Sequence, residues 1–294
     1  MHVFVTGASG FIGTAVVKEL LAHGHRVSGL ARSDASAAAV TAAGATVVRG
    51  GLDDVEVLAR AAAAADGVIH LAFNHDWSVS RDIADAADAK AIAAMGEALV
   101  AGGKPLVIAA GLLFLAPGRT ADESVRVPQP VGRRASEDIV FGLADRGVRA
   151  SVVRLPPTVH GVNDHGFVHY VIEAAKKTGT SAYVGDGAQC WSAVHVDDAA
   201  RVFCLALERA PGGSVLHAVA EEGVALSALA AVIGAQLQLP VSSVSPAQAN
   251  DQFGFLGALL GVDASASSQQ TQSLLDWRPV GPGLLDDVAA CYFP

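Results

Sequence analysis

Charge is scarce in this chain: 17% of its 294 residues are charged, whereas 51% are apolar. That balance excludes a disordered chain too polar to offset its own ordering entropy, and the length is enough to bury a large core. Cysteine is scarcer still. Cys190, Cys204 and Cys291 form no Cys-x-x-Cys pair and leave one odd thiol, so a reducing, cytoplasmic setting is expected rather than a disulfide framework. Long apolar runs are missing as well. The stretch from Leu106 to Ala116 reaches roughly a dozen residues, short of the ~20 that cross a bilayer. No basic start followed by a long apolar run marks the N-terminus, so neither a membrane span nor a secretion signal is expected. The net charge of −9 repels phosphate backbones and argues against a general nucleic-acid partner. None of the ten histidines falls in a metal-ligand spacing such as His-Glu-x-x-His, so the spacing implies no metal.

Glycine, by contrast, is placed with purpose. Gly7, Gly10 and Gly13 lie in His2-Val-Phe-Val-Thr-Gly-Ala-Ser-Gly-Phe-Ile-Gly, between an apolar strand and an amphipathic helix. A tight turn needs a residue that tolerates positive φ, close backbone approach to a phosphate needs a missing Cβ, and helix-to-strand packing needs a third small residue. The following helix offers unpaired N–H groups and the positive end of its dipole to an anion. The turn, with Ser9, Phe11 and Ile12 inside it, is therefore expected to hold the pyrophosphate of a dinucleotide.

Short β-branched runs follow at Arg26 to Ala31, Ala45 to Gly50, Asp66 to Ala72, Lys104 to Ala110 and Arg149 to Leu155, separated by alanine-rich helical segments. Strands interleaved with helices predict an α/β fold, a Rossmann-type doubly wound parallel sheet with ligands beyond the carboxyl ends of its strands. Residues 1–155 are read as the dinucleotide-binding domain. Residues 156–294, with longer glycine-bearing loops and helices near Asp197 to Glu208 and Ala225 to Leu237, are read as completing the sheet and forming a smaller substrate-binding cap. Asp197 and Asp198 are expected to cap the first of these helices.

The second strand ends Leu30-Ala31-Arg32-Ser33-Asp34. An acidic residue there suits the ribose 2′-hydroxyl of NAD, and an arginine suits the 2′-phosphate of NADP. Arg32 can grip that phosphate through a forked, charge-assisted contact and Ser33 can add a hydroxyl, which favours NADP. Asp34 keeps NAD open.

Several motifs resemble the short-chain dehydrogenases/reductases of the extended and atypical kind, which include NAD-dependent epimerases and dehydratases. Thr6 to Gly13 is similar to their coenzyme loop, Gly51-Leu-Asp53 to the segment that meets the adenine, and His70-Leu-Ala72 to the fourth strand beside it. Gly185-Asp-Gly187, Trp191, Val194 to Asp198 and Leu275-Asp-Trp-Arg-Pro279 resemble signatures of the second half. The resemblance implies coenzyme contacts at Leu52, Asp53, Leu71, Ala72, Ala110 and Pro156.

One part of that resemblance fails. The family pairs a tyrosine acid with a lysine four residues on, and no such pair exists here. Tyr170 and Tyr183 are followed four residues later by Ala174 and Gly187, and Tyr292 is too near the end. The corresponding helix is taken as Val131 to Glu137, where the two positions become Val131 and Ala135, or Gly132 and Ser136. The serine or threonine expected after the fifth strand is also missing. Replacement groups come from loops beyond strand ends. His160, in a loop similar to the one that passes the nicotinamide, is a candidate proton donor and equally a loop histidine bonded to backbone. Arg133, near the missing lysine, is a candidate cation for ribose or substrate oxygen, or a solvated surface group. Phe73, Asn74, His165 and Trp191 are candidate substrate walls, and Phe114 and Trp77 fall nearby. Relatives acting on nucleotide sugars carry an arginine where Trp191 stands, so a flat or apolar substrate is expected. His70, His195 and His217, inside strand-like runs, are read as structural. The sequence thus points to NADPH-dependent reduction of a small apolar ketone or aldehyde by a monomer or homodimer. The alternatives are an NADP-binding redox sensor without turnover and a nucleotide-sugar epimerase or dehydratase.

Overall fold

Seven short apolar strands pair in parallel to make the central sheet of the computed structural model, which describes residues 1–76, 79–127 and 132–293. They are β1 (His2–Thr6), β2 (Arg26–Ala31), β3 (Thr46–Arg49), β4 (Gly67–His70), β5 (Pro105–Gly111), β6 (Arg149–Leu155) and, after further strands, β10 (Val215–His217). Their order is β3-β2-β1-β4-β5-β6-β10, every pair parallel. The order reverses between β1 and β4, and a crevice at such a switch point is where dinucleotides lie.

Both faces of the sheet are covered, which is why its strands are apolar throughout rather than alternating. On one face α1 (Phe11–Ala22), α2 (Asp34–Ala42) and α7 (Val196–Arg209) pack Val16, Val17, Leu20, Val40, Val202 and Phe203 against Val3, Val5 and Val107. On the other, α3 (Val55–Ala64), α4 (Arg81–Leu99) and α5 (Glu137–Asp145) pack Leu58, Ile92, Met95 and Leu143 against Phe4, Leu106 and Ile108. The sequence expectation of a doubly wound sheet is met.

The rest of the chain builds a separate apolar core. It comprises β7 (Thr158–His160), β8 (Ser181–Val184), β9 (Cys190–His195), β11 (Glu221–Ala225) and β12 (Val241–Val244), in sheets ordered β11-β9-β7 and β12-β8. Around them lie α6 (Phe167–Thr178), α8 (Leu226–Leu237), α9 (Ala249–Phe253), α10 (Gly257–Leu260) and α12 (Leu284–Cys291), whereas α11 (Gln269–Leu275) lies against α7 and β10 and adds Leu275 to the core of the central sheet. Among the described residues, no helix is long and apolar enough to cross a membrane.

Two local expectations are corrected. The segment expected to be helical from Val131 to Glu137 begins as a tight 3₁₀ turn, Gly132–Ser136, before α5; Val131 and Trp77 lie outside the described residues. Helix α7 is capped by the imidazole of His195, which accepts from the Asp197 N–H, not by the aspartates. Asp198 is buried, and its carboxylate accepts from the N–H groups of Val280 and Gly281, tying the carboxyl-terminal segment to α7.

Candidate active site

The turn after β1 is a cradle that only glycine can line. Gly7 has φ +70°, and a Cβ there would stand 2.7 Å from the Ala72 backbone nitrogen; one on Gly13 would stand 1.9 Å from the Gly7 carbonyl oxygen. Gly10 caps α1 with no side-chain bond to the first-turn N–H groups, leaving them directed at an anion. The loop after β4, with Leu71 and Ala72, is pressed against this turn. These features fit the pyrophosphate of a dinucleotide, and Ser9, Phe11 and Ile12 belong to the same turn.

At the adenosine end, Arg32 is exposed, with no hydrogen bond or ion pair to any of the described residues, and stands at the carboxyl end of β2. Asp34 is engaged by Arg49 of β3. Ser33 is the N-cap of α2: its hydroxyl accepts from the Ser36 N–H at 3.2 Å in a capping box, so most of its bonding capacity serves the helix. Leu52 is half-buried beside the core, and Asp53 is exposed. Asp54, not Asp53, accepts from the Gly51 N–H at 2.7 Å.

Beneath the cradle runs a buried polar chain that sequence reasoning missed. Thr6 Oγ1 accepts from the Ala72 N–H and sits 2.7 Å from His70 Nδ1; His70 Nε2 lies 3.1 Å from Asp88 Oδ1, and the Ser136 hydroxyl donates to Asp88 Oδ2 at 2.9 Å. Because the Asp88 carboxylate can only accept, Nε2 of the neutral ring carries the proton and donates to it, and Nδ1 accepts from the Thr6 hydroxyl. Burial holds His70 below the usual histidine range. Burial alone would raise the Asp88 carboxyl, but the His70 bond, the Arg133 charge and the Ser136 hydroxyl together lower it. The only sequence signal was His70 at a strand end, because its partners are far away in the chain.

Arg133 joins this chain from above. Its Nη2 lies 3.5 Å from Asp88, Nη1 donates to the Leu71 carbonyl at 3.3 Å, and the guanidinium stacks 5.2 Å from the Phe73 ring centre. Its side chain keeps 15% of its exposure. Arg134, the next residue, donates to the Leu113 carbonyl at 2.6 Å. Both guanidiniums thus sit at the carboxyl ends of β4 and β5, near the expected coenzyme contacts Ala72 and Ala110. They are aimed by the 3₁₀ turn, which is anchored by a bidentate bond of Arg154 to Glu137 (2.8 and 2.7 Å), both buried. Asn74 accepts from the Asp76 N–H. Phe114 is 41% exposed with φ +62°, a conformation a bulky residue holds only under constraint.

The β6–β7 loop passes the same place. Pro156 is buried, and a Cβ on Gly161 would lie 3.6 Å from the Phe11 ring at the start of α1. His160, however, is fully buried, its Nδ1 2.7 Å from Asp287 of α12, and its Nε2 has no partner among the described residues. Burial keeps it below the ordinary histidine range. The expectation of an accessible loop acid is therefore corrected: an imidazole with no exposed surface cannot reach a substrate as it stands. Trp191 is corrected too. It is 1% exposed, packs on Phe167, and donates its indole N–H to the Val262 carbonyl, so it is a core residue rather than a substrate wall. His165 is exposed beside His169. Tyr292 donates to Asp164 and accepts from the Gly161 N–H, and burial raises its phenol further from neutrality.

Residues 3–111 and 118–218 match the model of the NAD dependent epimerase/dehydratase family. Across its whole length the chain is 47% identical over 296 residues to "Uncharacterized protein C2A9.02" of Schizosaccharomyces pombe, covering 100% of each. It is 31% identical over 237 residues, 73% of this chain and 67% of the other, to 4-hydroxy-2-methyl-3-oxo-4-farnesyl-3,4-dihydroquinoline-1-oxide ketoreductase of Stigmatella aurantiaca. Its fold is shared by the dTDP-glucose 4,6-dehydratase DesIV of Streptomyces venezuelae, solved with NAD and TYD bound. That likeness has a TM-score of 0.77 at 21% identity, covering 98% of this chain and 95% of the other. With a glycine cradle at the switch point of its sheet and matches that run the length of the chain, this protein belongs to the NAD dependent epimerase/dehydratase family.

Proposed function

We propose that the chain is an NADPH-dependent oxidoreductase that reduces a small apolar ketone or aldehyde. The observation that carries this reading is Arg133, a cation resting on the Leu71 carbonyl and the Phe73 ring beside the dinucleotide cradle. The coenzyme, when bound, supplies hydride to the carbonyl carbon. Arg133 then stabilises the charge that develops on the oxygen, the work otherwise shared by the family's absent tyrosine and lysine, and water supplies the proton. Arginine holds its charge even where burial lowers its pKa, so it serves as an electrostatic partner rather than as the acid. The free Arg32 beside an engaged Asp34 supports the phosphorylated coenzyme. Phe73 and the exposed Phe114 support an apolar substrate, as does kinship to a ketoreductase named for a farnesyl-bearing quinoline oxide.

The test is loss of nicotinamide absorbance when purified protein meets NADPH and a panel of ketones and aldehydes. Turnover should fall about 10²- to 10³-fold in Arg133→Gln, the cost of losing one donor at a developing oxyanion. A second reading, an NADP-binding sensor without turnover, is favoured by the burial of His160 and the engagement of Tyr292. Tight NADPH binding with no consumption across the panel would select it. Turnover of a dTDP- or UDP-sugar alone would overturn both.

A further inference from the structure

At the amino edge of the sheet, opposite the dinucleotide cradle, four side chains from the α1–β2 corner and α7 converge on one carboxylate oxygen or on its partner. His23 Nδ1 lies 3.1 Å from Glu208 Oε1, His25 Nε2 lies 2.9 Å from that same oxygen, and Cys204 Sγ lies 3.9 Å from it. Glu19 Oε1 lies 3.2 Å from the other nitrogen of His23. We propose that His23, Cys204 and Glu208 bind a divalent transition ion of the zinc type, with Glu19 and His25 holding the ligands from behind and water in the fourth position.

The donor atoms of these three residues all lie within 4.8 Å of one another. Zinc bonds of about 2.0 Å to nitrogen and oxygen and about 2.3 Å to sulfur put tetrahedral ligands about 3.3 to 3.6 Å apart, so shifts below an ångström close the site. His23 has a carboxylate on each ring nitrogen, and a neutral imidazole has only one N–H to give. A metal on Nδ1 leaves Nε2–H to donate to Glu19, the usual carboxylate support behind a ligating histidine. His25 fits the supporting role, because its Nδ1 faces the N-terminal ammonium and its Nε2–H is left to donate to Glu208. Cys204 and Glu208 stand four residues apart on one helix face. Cys204 is buried with its Sγ 3.9 Å from Glu208 Oε1, and a thiol taken up by a metal gives up its proton to solvent. Sequence spacing could not reveal the set, since Glu208 is 185 positions from His23.

Binding displaces the thiol proton, so about one proton should leave per ion on that account. The test uses tag-free, chelator-stripped protein titrated with zinc and, separately, cobalt. Expected are one zinc per chain, a tetrahedral cobalt spectrum with a thiolate charge-transfer band, and loss of that band in Cys204→Ser. Glu208→Gln should weaken zinc by at least about 100-fold and Glu19→Gln by about tenfold. Zinc binding that Glu208→Gln leaves unchanged, a cobalt spectrum with no sulfur band, or no stoichiometric binding would each overturn the proposal. Melting of the metal-free variants separates loss of ligand from loss of fold, and none of these readouts depends on turnover.

Discussion

Arg32 and Asp34 are the residues on which the proposed preference for the phosphorylated coenzyme rests. In the sequence they compete for the adenosine ribose; in the fold Arg49, from the neighbouring strand, takes the carboxylate and leaves the guanidinium free. Arg32→Ala should therefore lower NADPH affinity about tenfold or more with little change for NADH, measured by fluorescence titration of both coenzymes. An unchanged ratio would remove the assignment. Gly13→Ala should abolish binding of either form, because the added Cβ meets the Gly7 carbonyl in the middle of the cradle. The cradle was legible in the sequence because its requirements are local: positive φ, a missing Cβ, a strand before and a helix after. Trp191 and His160 were not. Their chemistry depends on partners at Val262 and Asp287, which only the folded chain brings to them.

Among elements, strands and long helices were readable because β-branched runs and alanine-rich stretches impose their own periods. The 3₁₀ turn at Gly132–Ser136 was not, since what fixes it is the buried Arg154–Glu137 pair joining β6 to α5. Removing one partner strands the other charge away from water. Glu137→Gln should cost about 3 to 5 kcal/mol in urea unfolding. Milder breakage should also misaim Arg133 and Arg134, so turnover would fall under conditions where the fold still holds.

Over the whole molecule, acid sensitivity follows from histidines buried in neutral form. His217 is held at about 4, chiefly by burial, with its ring bonded to the Ser267 carbonyl and facing Arg154; His70 and His160 are lowered in the same direction. An unfolded histidine takes a proton near pH 6.5, and these folded ones do not. The stability they confer is therefore full above about pH 6.5 and is lost as the pH falls toward 4, roughly 3 kcal/mol from His217 alone. The urea midpoint should drop across that window, and His217→Gln should flatten the slope. The tie between His160 and Asp287 has a different reach. It spans 127 positions and joins β7 to α12. A hybrid given a foreign tail would keep this tie only if the donor supplies a carboxylate where Asp287 stands, so the last helix is exchangeable only together with its match to β7.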